Sequence, residues 1–174
     1  MNEQPNEQPI LVRDLMTVGV VTCSTDDALA DIARLMLTKE LEAVVVLNPH
    51  GHAVGVVTQD DVLRVYDREN ARSLTAEAVM REEVPTVPPD IPARAAAQIM
   101  QDRGVRILFS MHHAEGIFYP AATLTYRHLL RHLSTAGPED LNDLGIHADR
   151  EPPLTAFVKR RDAAREQNVP KKQS

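Results

Sequence analysis

Met16-Thr17-Val18-Gly19-Val20-Val21-Thr22 is answered by Met80-Arg81-Glu82-Glu83-Val84-Pro85-Thr86, the same frame of Met, Val and Thr met twice. The correspondence runs on: Asp26, Ala33 and Met36 return as Asp90, Ala97 and Met100, every pair 64 residues apart. A period this long, used twice, describes two copies of one small supersecondary unit packed against each other. A crevice between two related halves is a natural place for a ligand.

Each copy has the same internal order. Ser24-Thr25-Asp26-Asp27 offers hydroxyls and carboxylates to free backbone N–H groups and predicts a helix start. Leu29, Ile32, Ala33 and Met36 follow as one buried stripe. The second helix is predicted from Asp90, with Pro92 in its first turn and Ala93, Ala96, Ala97 and Met100 as a slimmer stripe. Ala43 to Leu47, the turn residues Asn48-Pro49-His50-Gly51, and Ala53 to Thr58 read as a β-hairpin. Its counterpart is Val105 to Met111, a turn around Ala114-Glu115-Gly116, and Ile117 to Thr125. Helical spacing closes each copy, at Val62, Leu63 and Tyr66 and at Leu129, Leu130 and Leu133. The order is strand, helix, strand, strand, helix, led by Val12 to Met16 and by Thr75 to Met80, with Asp67 to Ser73 as the polar boundary.

Composition narrows the function classes. The chain has 174 residues, 43% of them apolar, with three Phe, three Tyr and no Trp. The core is therefore aliphatic, and a base-stacking surface for nucleic acid is not expected. A net charge of −6 makes the chain a poor non-specific binder of DNA or of an anionic membrane. Basic residues gather late, at Lys159, Arg160, Arg161, Arg165, Lys171 and Lys172. Cys23 is the single cysteine, so an intrachain disulfide is excluded and the cytoplasm is the expected address. No apolar run has the length of a membrane span, and residues 1–9 read as a polar tail without a signal peptide's apolar stretch.

Chemistry concentrates at Gly55-Val56-Val57-Thr58-Gln59-Asp60-Asp61. Glycine lets a backbone come close. Thr58 ends the strand, and Asp61 falls in the first turn of the next helix. A carboxylate there can accept two hydrogen bonds from a vicinal diol, as on a ribose, beside a helix N-terminus that favours phosphate. The same Thr-x-x-Asp is also an ordinary helix cap.

Val12-Arg13-Asp14-Leu15-Met16, the helix through Met36, the Ala43 to Leu47 strand and Gly55-Val-Val-Thr-x-x-Asp61 resemble a CBS domain. Ala78-Val79-Met80 and Gly104-Val105-Arg106-Ile107 resemble a second, and the pair resembles a Bateman module over Ile10 to Ser134. The resemblance implies an α+β (α/β-like) fold, with βαββα units at 10–70 and 74–134 related by a pseudo-two-fold, their sheets packed together. It implies an adenosine-containing ligand (AMP, ADP, ATP or S-adenosylmethionine), a homodimer, and a regulated partner protein. It implies that Thr58 and Asp61 contact ribose or phosphate, and that Val20, Ala43, Val44 and Val56 flank adenine. Asp61→Ala is then expected to cost affinity more than stability.

The second copy departs from the pattern. Its hairpin ends Thr125-Tyr126-Arg127-His128, and Thr125 and His128 lie 67 residues beyond Thr58 and Asp61. The three extra residues are expected in the turn at His113 to Gly116, and Pro120 marks an edge or a bulge. His128 cannot grip a diol as a carboxylate does. This lip is expected to serve as the phosphate end instead, with Arg106, Arg127, Thr125 and His128, and protonation of His128 would make binding pH-sensitive. Arg106 as a surface strand residue and Arg127 as a solvated helix residue are the plainer alternatives.

Nothing reads as a catalytic apparatus: Gly-x-Ser-x-Gly, a phosphate-cradling Gly-rich loop and a dinucleotide fingerprint are all missing from the sequence. His50, His52, His112 and His113 read as turn residues rather than metal ligands. Residues 135–174 read as a partly helical extension with a basic tail; Leu154, Phe157 and Val158 share one face. The sequence thus points to a cytoplasmic adenine-nucleotide sensor that signals through a partner. The rival is a ligand-free dimerising scaffold that recruits its partner through the extension.

Overall fold

The structure is a computed structural model and describes residues 9–135. The expectations for residues 1–8 and for the extension beyond Thr135 lie outside the described residues. Unit 1 comprises α1 (Val12–Leu15), β1 (Thr17–Val18), β2 (Thr22–Ser24), α2 (Leu29–Lys39), β3 (Ala43–Leu47), β4 (Ala53–Thr58) and α3 (Gln59–Arg64). Unit 2 comprises α4 (Ala76–Val79), α5 (Ala93–Arg103), β5 (Ile107–Ala114), β6 (Ile117–Thr125) and α6 (Tyr126–Ser134). The strands form two three-stranded sheets, ordered β2-β3-β4 and β1-β6-β5.

The predicted stripe of α2 is buried at Leu29, Ile32 and Met36, and that of α5 at Ala93, Ala96 and Met100. Both helices start later than their cap signals. Asp27 accepts from the Ser24 N–H in a turn of its own, and the first N–H of α2 donates to the Leu74 carbonyl. Asp90 instead faces Arg13, leaving Pro92 as the cap. The leading strand of unit 2 shrinks to one bridge, Thr86 to Phe109, because Pro85, Pro88 and Pro89 lack the N–H groups a ladder needs.

The two units exchange their leading segments. β1 pairs with β6 of the other unit, Thr17 opposite Thr123. Arg81, the counterpart of Thr17, bridges Val56 in β4 through two backbone hydrogen bonds of 2.9 Å each. Burial repeats the exchange. Val12, Leu15 and Met16 complete the core of unit 2 around Met100, Leu108 and Leu124. Ala76 and Val79 complete the core of unit 1 around Ile32, Val44 and Val57. A third cluster, Ala43, Val45, Val56, Ile107 and Phe109, packs sheet on sheet between the units. Period-two alternation sends Val44 and Val46 to the helices and Ala43 and Val45 to the opposite sheet.

The unit 2 hairpin absorbs its extra residues in its strands rather than its turn. β5 and β6 have eight and nine residues and a turn of Glu115 and Gly116, against five and six in β3 and β4. Ser110 faces Ala122 and Met111 faces Pro120, so Ala121 is a bulge beside the proline, as that residue predicted. Leu63, Tyr66, Leu130 and Leu133, expected in helical stripes, face outward, 64 to 82% exposed.

Gly55 is the point of closest approach. A Cβ there would lie 2.6 Å from both the Arg81 carbonyl oxygen and the Met80 sulfur. Gly55→Ala is therefore expected to push the unit 2 segment off β4 and to cost about 1–3 kcal/mol, read from the urea unfolding midpoint at unchanged slope.

Candidate ligand cleft

A cleft of about 1290 Å³ opens where the hairpins of the two units meet. Its apolar wall includes Val20, Ala43 and Val56, three of the four residues predicted for it. Val44 is absent from the wall. It is fully buried on the opposite face of β3, against α2, because neighbouring strand residues point to opposite faces. Thr58 and Thr125 line the cleft from equivalent strand ends, and Arg106, Arg127 and His128 line it from unit 2.

Asp61 is held differently from expectation. It is 0% exposed and is not part of the cleft wall. Thr58 caps α3, and Asp61 closes the box: one carboxylate oxygen accepts from the Thr58 N–H at 2.9 Å and the Thr58 hydroxyl at 2.6 Å. The other oxygen accepts from Arg81 Nε at 2.8 Å and from Arg64. All four acceptor positions of the carboxylate are occupied. Thr58 and Asp61 thus form the capping box of α3.

His128 repeats that role with an imidazole ring. Its Nδ1 accepts from the Thr125 N–H at 3.0 Å, which places the ring proton on Nε2, and Nε2 meets the Thr17 hydroxyl at 2.9 Å. Thr17 and Arg81 are repeat counterparts, as are His128 and Asp61. An Asp61–Arg81 pair across the units on one side therefore answers a His128–Thr17 pair on the other. His128 thus caps α6 as Asp61 caps α3.

The sequence reading missed Arg81, Glu42 and Asp60, all on the cleft wall. The repeat held the signal: Glu42 is the counterpart of Arg106, and Asp60 of Arg127. One hairpin end of the cleft is acidic where the other is basic. One Glu42 carboxylate oxygen is shielded from solvent and has no hydrogen-bond partner among the described residues. Arg127 faces Glu40 across the units at 3.7 Å, and Arg103 faces Glu83 at 3.8 Å.

His112 and His113 lie in β5, while His50 lies in the unit 1 turn and His52 directly follows it. Among the described residues no group of three or more His, Cys, Asp or Glu converges as a metal site. No described helix is long and apolar enough to cross a membrane.

Comparison with known proteins agrees with this geometry. The CBS domain family model matches twice, at residues 12–68 and 76–135. The chain belongs to the CBS domain family. An uncharacterized protein of Methanopyrus kandleri is 30% identical over 101 residues, covering 57% of this chain and 52% of that one. The chain thus spans about half the length of that relative, and the match covers 26% of a second uncharacterized protein, from Methanocaldococcus jannaschii. Among solved structures, an uncharacterized conserved protein of Pyrococcus horikoshii superposes with a TM-score of 0.65 at 19% identity, covering 75% of this chain and 97% of that one. The CBS domain pair of protein MJ0100, in complex with 5′-methylthioadenosine and S-adenosyl-L-methionine, gives 0.62 at 18% identity, covering 72% and 96%. These likenesses establish the CBS-pair fold.

Two outcomes follow from the buried groups of this CBS pair. Asp61→Ala strips four donors of their acceptor and is expected to cost about 2–3 kcal/mol in urea unfolding, whatever its effect on ligands. The Cys23 thiol is pushed up from 9.0 to about 12, by burial first and by the Asp27 charge second. Its folded pKa is raised, so its contribution to stability is whole below pH 9.0 and is lost as pH climbs through about 12. The folded protein at pH 8 should resist iodoacetamide and the unfolded protein should react.

Proposed function

We propose that the cleft binds an adenosine-containing ligand (AMP, ADP, ATP or S-adenosylmethionine) and that occupancy is passed to a regulated partner protein. The observation that carries this reading is the composition of one cleft, aliphatic in its wall and cationic at its unit 2 end. Val20, Ala43 and Val56 provide a slot for a purine. Arg106 pairs with no carboxylate among the described residues and suits a bidentate phosphate contact, with Thr125, Arg127 and His128 beside it. Thr58 serves the opposite end. The CBS pair of MJ0100 with its two adenosyl ligands supports the ligand class by analogy of fold. Because the wall is drawn from both units, a ligand that prefers one inter-unit angle shifts the population toward it. The lone buried thiol fits the reducing cytoplasm.

The outward apolar residues support a homodimer. Leu63 and Tyr66 on unit 1 recur as Leu130 and Leu133 on unit 2, an apolar pair at the same place in each repeat. A ligand-free scaffold would use these same faces, so dimerisation alone does not separate the two readings.

Thermal unfolding with each of the four ligands does. A ligand bound at 100 times its Kd adds about 2.7 kcal/mol and raises Tm by several degrees. Arg106→Gln is expected to weaken AMP about tenfold and to reduce that rise. Absence of any rise with all four ligands would leave the scaffold reading.

A further inference from the structure

We infer that Glu40 determines how strongly the cleft favours an anionic ligand over a neutral one: it is a built-in competitor that holds Arg127 until a phosphate takes its place. The inference deepens, and rests on, the reading that the cleft takes an adenosine-containing ligand with its anion at the unit 2 end.

Glu40 stands where its repeat counterpart, 64 residues on, is Gly104. The helices α2 and α5 end in the same cap. The Leu41 N–H donates to the Met36 carbonyl at 2.8 Å, and the Val105 N–H to the Met100 carbonyl at 3.0 Å. The capping residue is left-handed in both, with φ of 51° at Glu40 and 62° at Gly104. Glycine adopts that conformation freely, and residues with a Cβ resist it. A Cβ at Gly104 would meet nothing within 4 Å, so this type of helix end calls for no side chain. A glutamate is therefore a strained choice that the cap does not require. Backbone strain of this kind concentrates at functional positions.

What the side chain adds is a carboxylate on the cleft wall. Among the described residues its ionic partner is Arg127 of the other unit, at 3.7 Å. Both side chains are largely exposed, so the pair is weak and opens readily. Arg127 sits beside Arg106, because the Tyr126 N–H donates to the Arg106 carbonyl at 3.1 Å. The phosphate end thus has one cation ready, Arg106, and one held, Arg127. A neutral ligand disturbs neither. A phosphate offers Arg127 a more highly charged partner in bidentate geometry and draws it off Glu40. Until that happens, the Glu40 charge opposes the incoming anion. Glu42 and Asp60, the other acids of that side, form no ion pair among the described residues, so the competition falls to Glu40.

The test is calorimetric titration of AMP, adenosine and pyrophosphate into the full chain, for wild type, Glu40→Gln, Arg127→Gln and the double variant. Glutamine keeps the length of the side chain and removes its charge. Glu40→Gln is expected to tighten AMP about three- to fivefold and to leave adenosine within about twofold. In the Arg127→Gln background the same change is expected to move AMP by less than about 1.5-fold. Glu40→Gly copies the other repeat. It is expected to tighten AMP equally and to raise Tm by about 2–4 °C as the strain is relieved. A higher Tm with unchanged AMP affinity marks a cap residue alone and overturns the inference. AMP affinity unchanged or weakened in Glu40→Gln also overturns it, as does a gain that survives in the double variant; the adenosine reading then stands. Pyrophosphate held more tightly by Glu40→Gln than by wild type, with no binding of AMP, keeps the assignment of Glu40 and removes the adenosine reading. Binding of neither AMP nor pyrophosphate by wild type or by Glu40→Gln overturns both.

Discussion

The fold depends on an exchange: each unit's core is closed by the segment that leads the other. Without Val12 and Leu15, the core around Met100 and Leu124 lacks a wall; without Ala76 and Val79, the same is true around Ile32 and Val57. Units of about sixty residues bury a limited share of their surface alone, so lending each other a wall is an effective way for both to gain stability. The exchange also sets the geometry. β1 on β6 and Arg81 on Val56 draw the hairpins together, and the apolar cluster between the sheets keeps them in register.

The cleft is a by-product of that closure. Where the hairpins end, the strands diverge into α3 and α6, and the space between is walled by both units. Duplication would give such a cleft two equal ends. Divergence has made them unequal: Glu42 and Asp60 oppose Arg106 and Arg127, and an Asp61–Arg81 ion pair opposes a His128–Thr17 hydrogen bond. The change from Asp61 to His128 is matched by the change of its cross-unit partner from Arg81 to Thr17. A bare histidine in place of Asp61 would leave Arg81 without its anion; the neutral Thr17 beside His128 avoids the corresponding mismatch in the other half.

Much of this was legible in the sequence. The 64-residue spacing revealed the duplication, the helical stripes and hairpins followed from periodicity, and Pro120 announced the bulge beside it. Gly55 was correctly read as a place of close approach, though not what approached it. What was not legible is long-range. Alternation tells that Val44 and Ala43 face opposite ways but not which of them meets the cleft. Thr-x-x-Asp fixes Asp61 at the third helical position, yet its two arginine partners come from Arg64 and from a segment 20 residues on. The outward turn of Leu63, Tyr66, Leu130 and Leu133 could not be told from a buried stripe by spacing alone.

If the exchange is what holds the molecule together, neither unit can open without the other. Native-state hydrogen exchange tests this most directly. The amides of Val56 and Arg81, of β1 against β6, and of the buried turns of α2 and α5 should all exchange at one free energy, that of global unfolding, and respond equally to low urea. Two separate free energies, one for each unit, with Val56 and Arg81 exchanging ahead of both, would contradict the account.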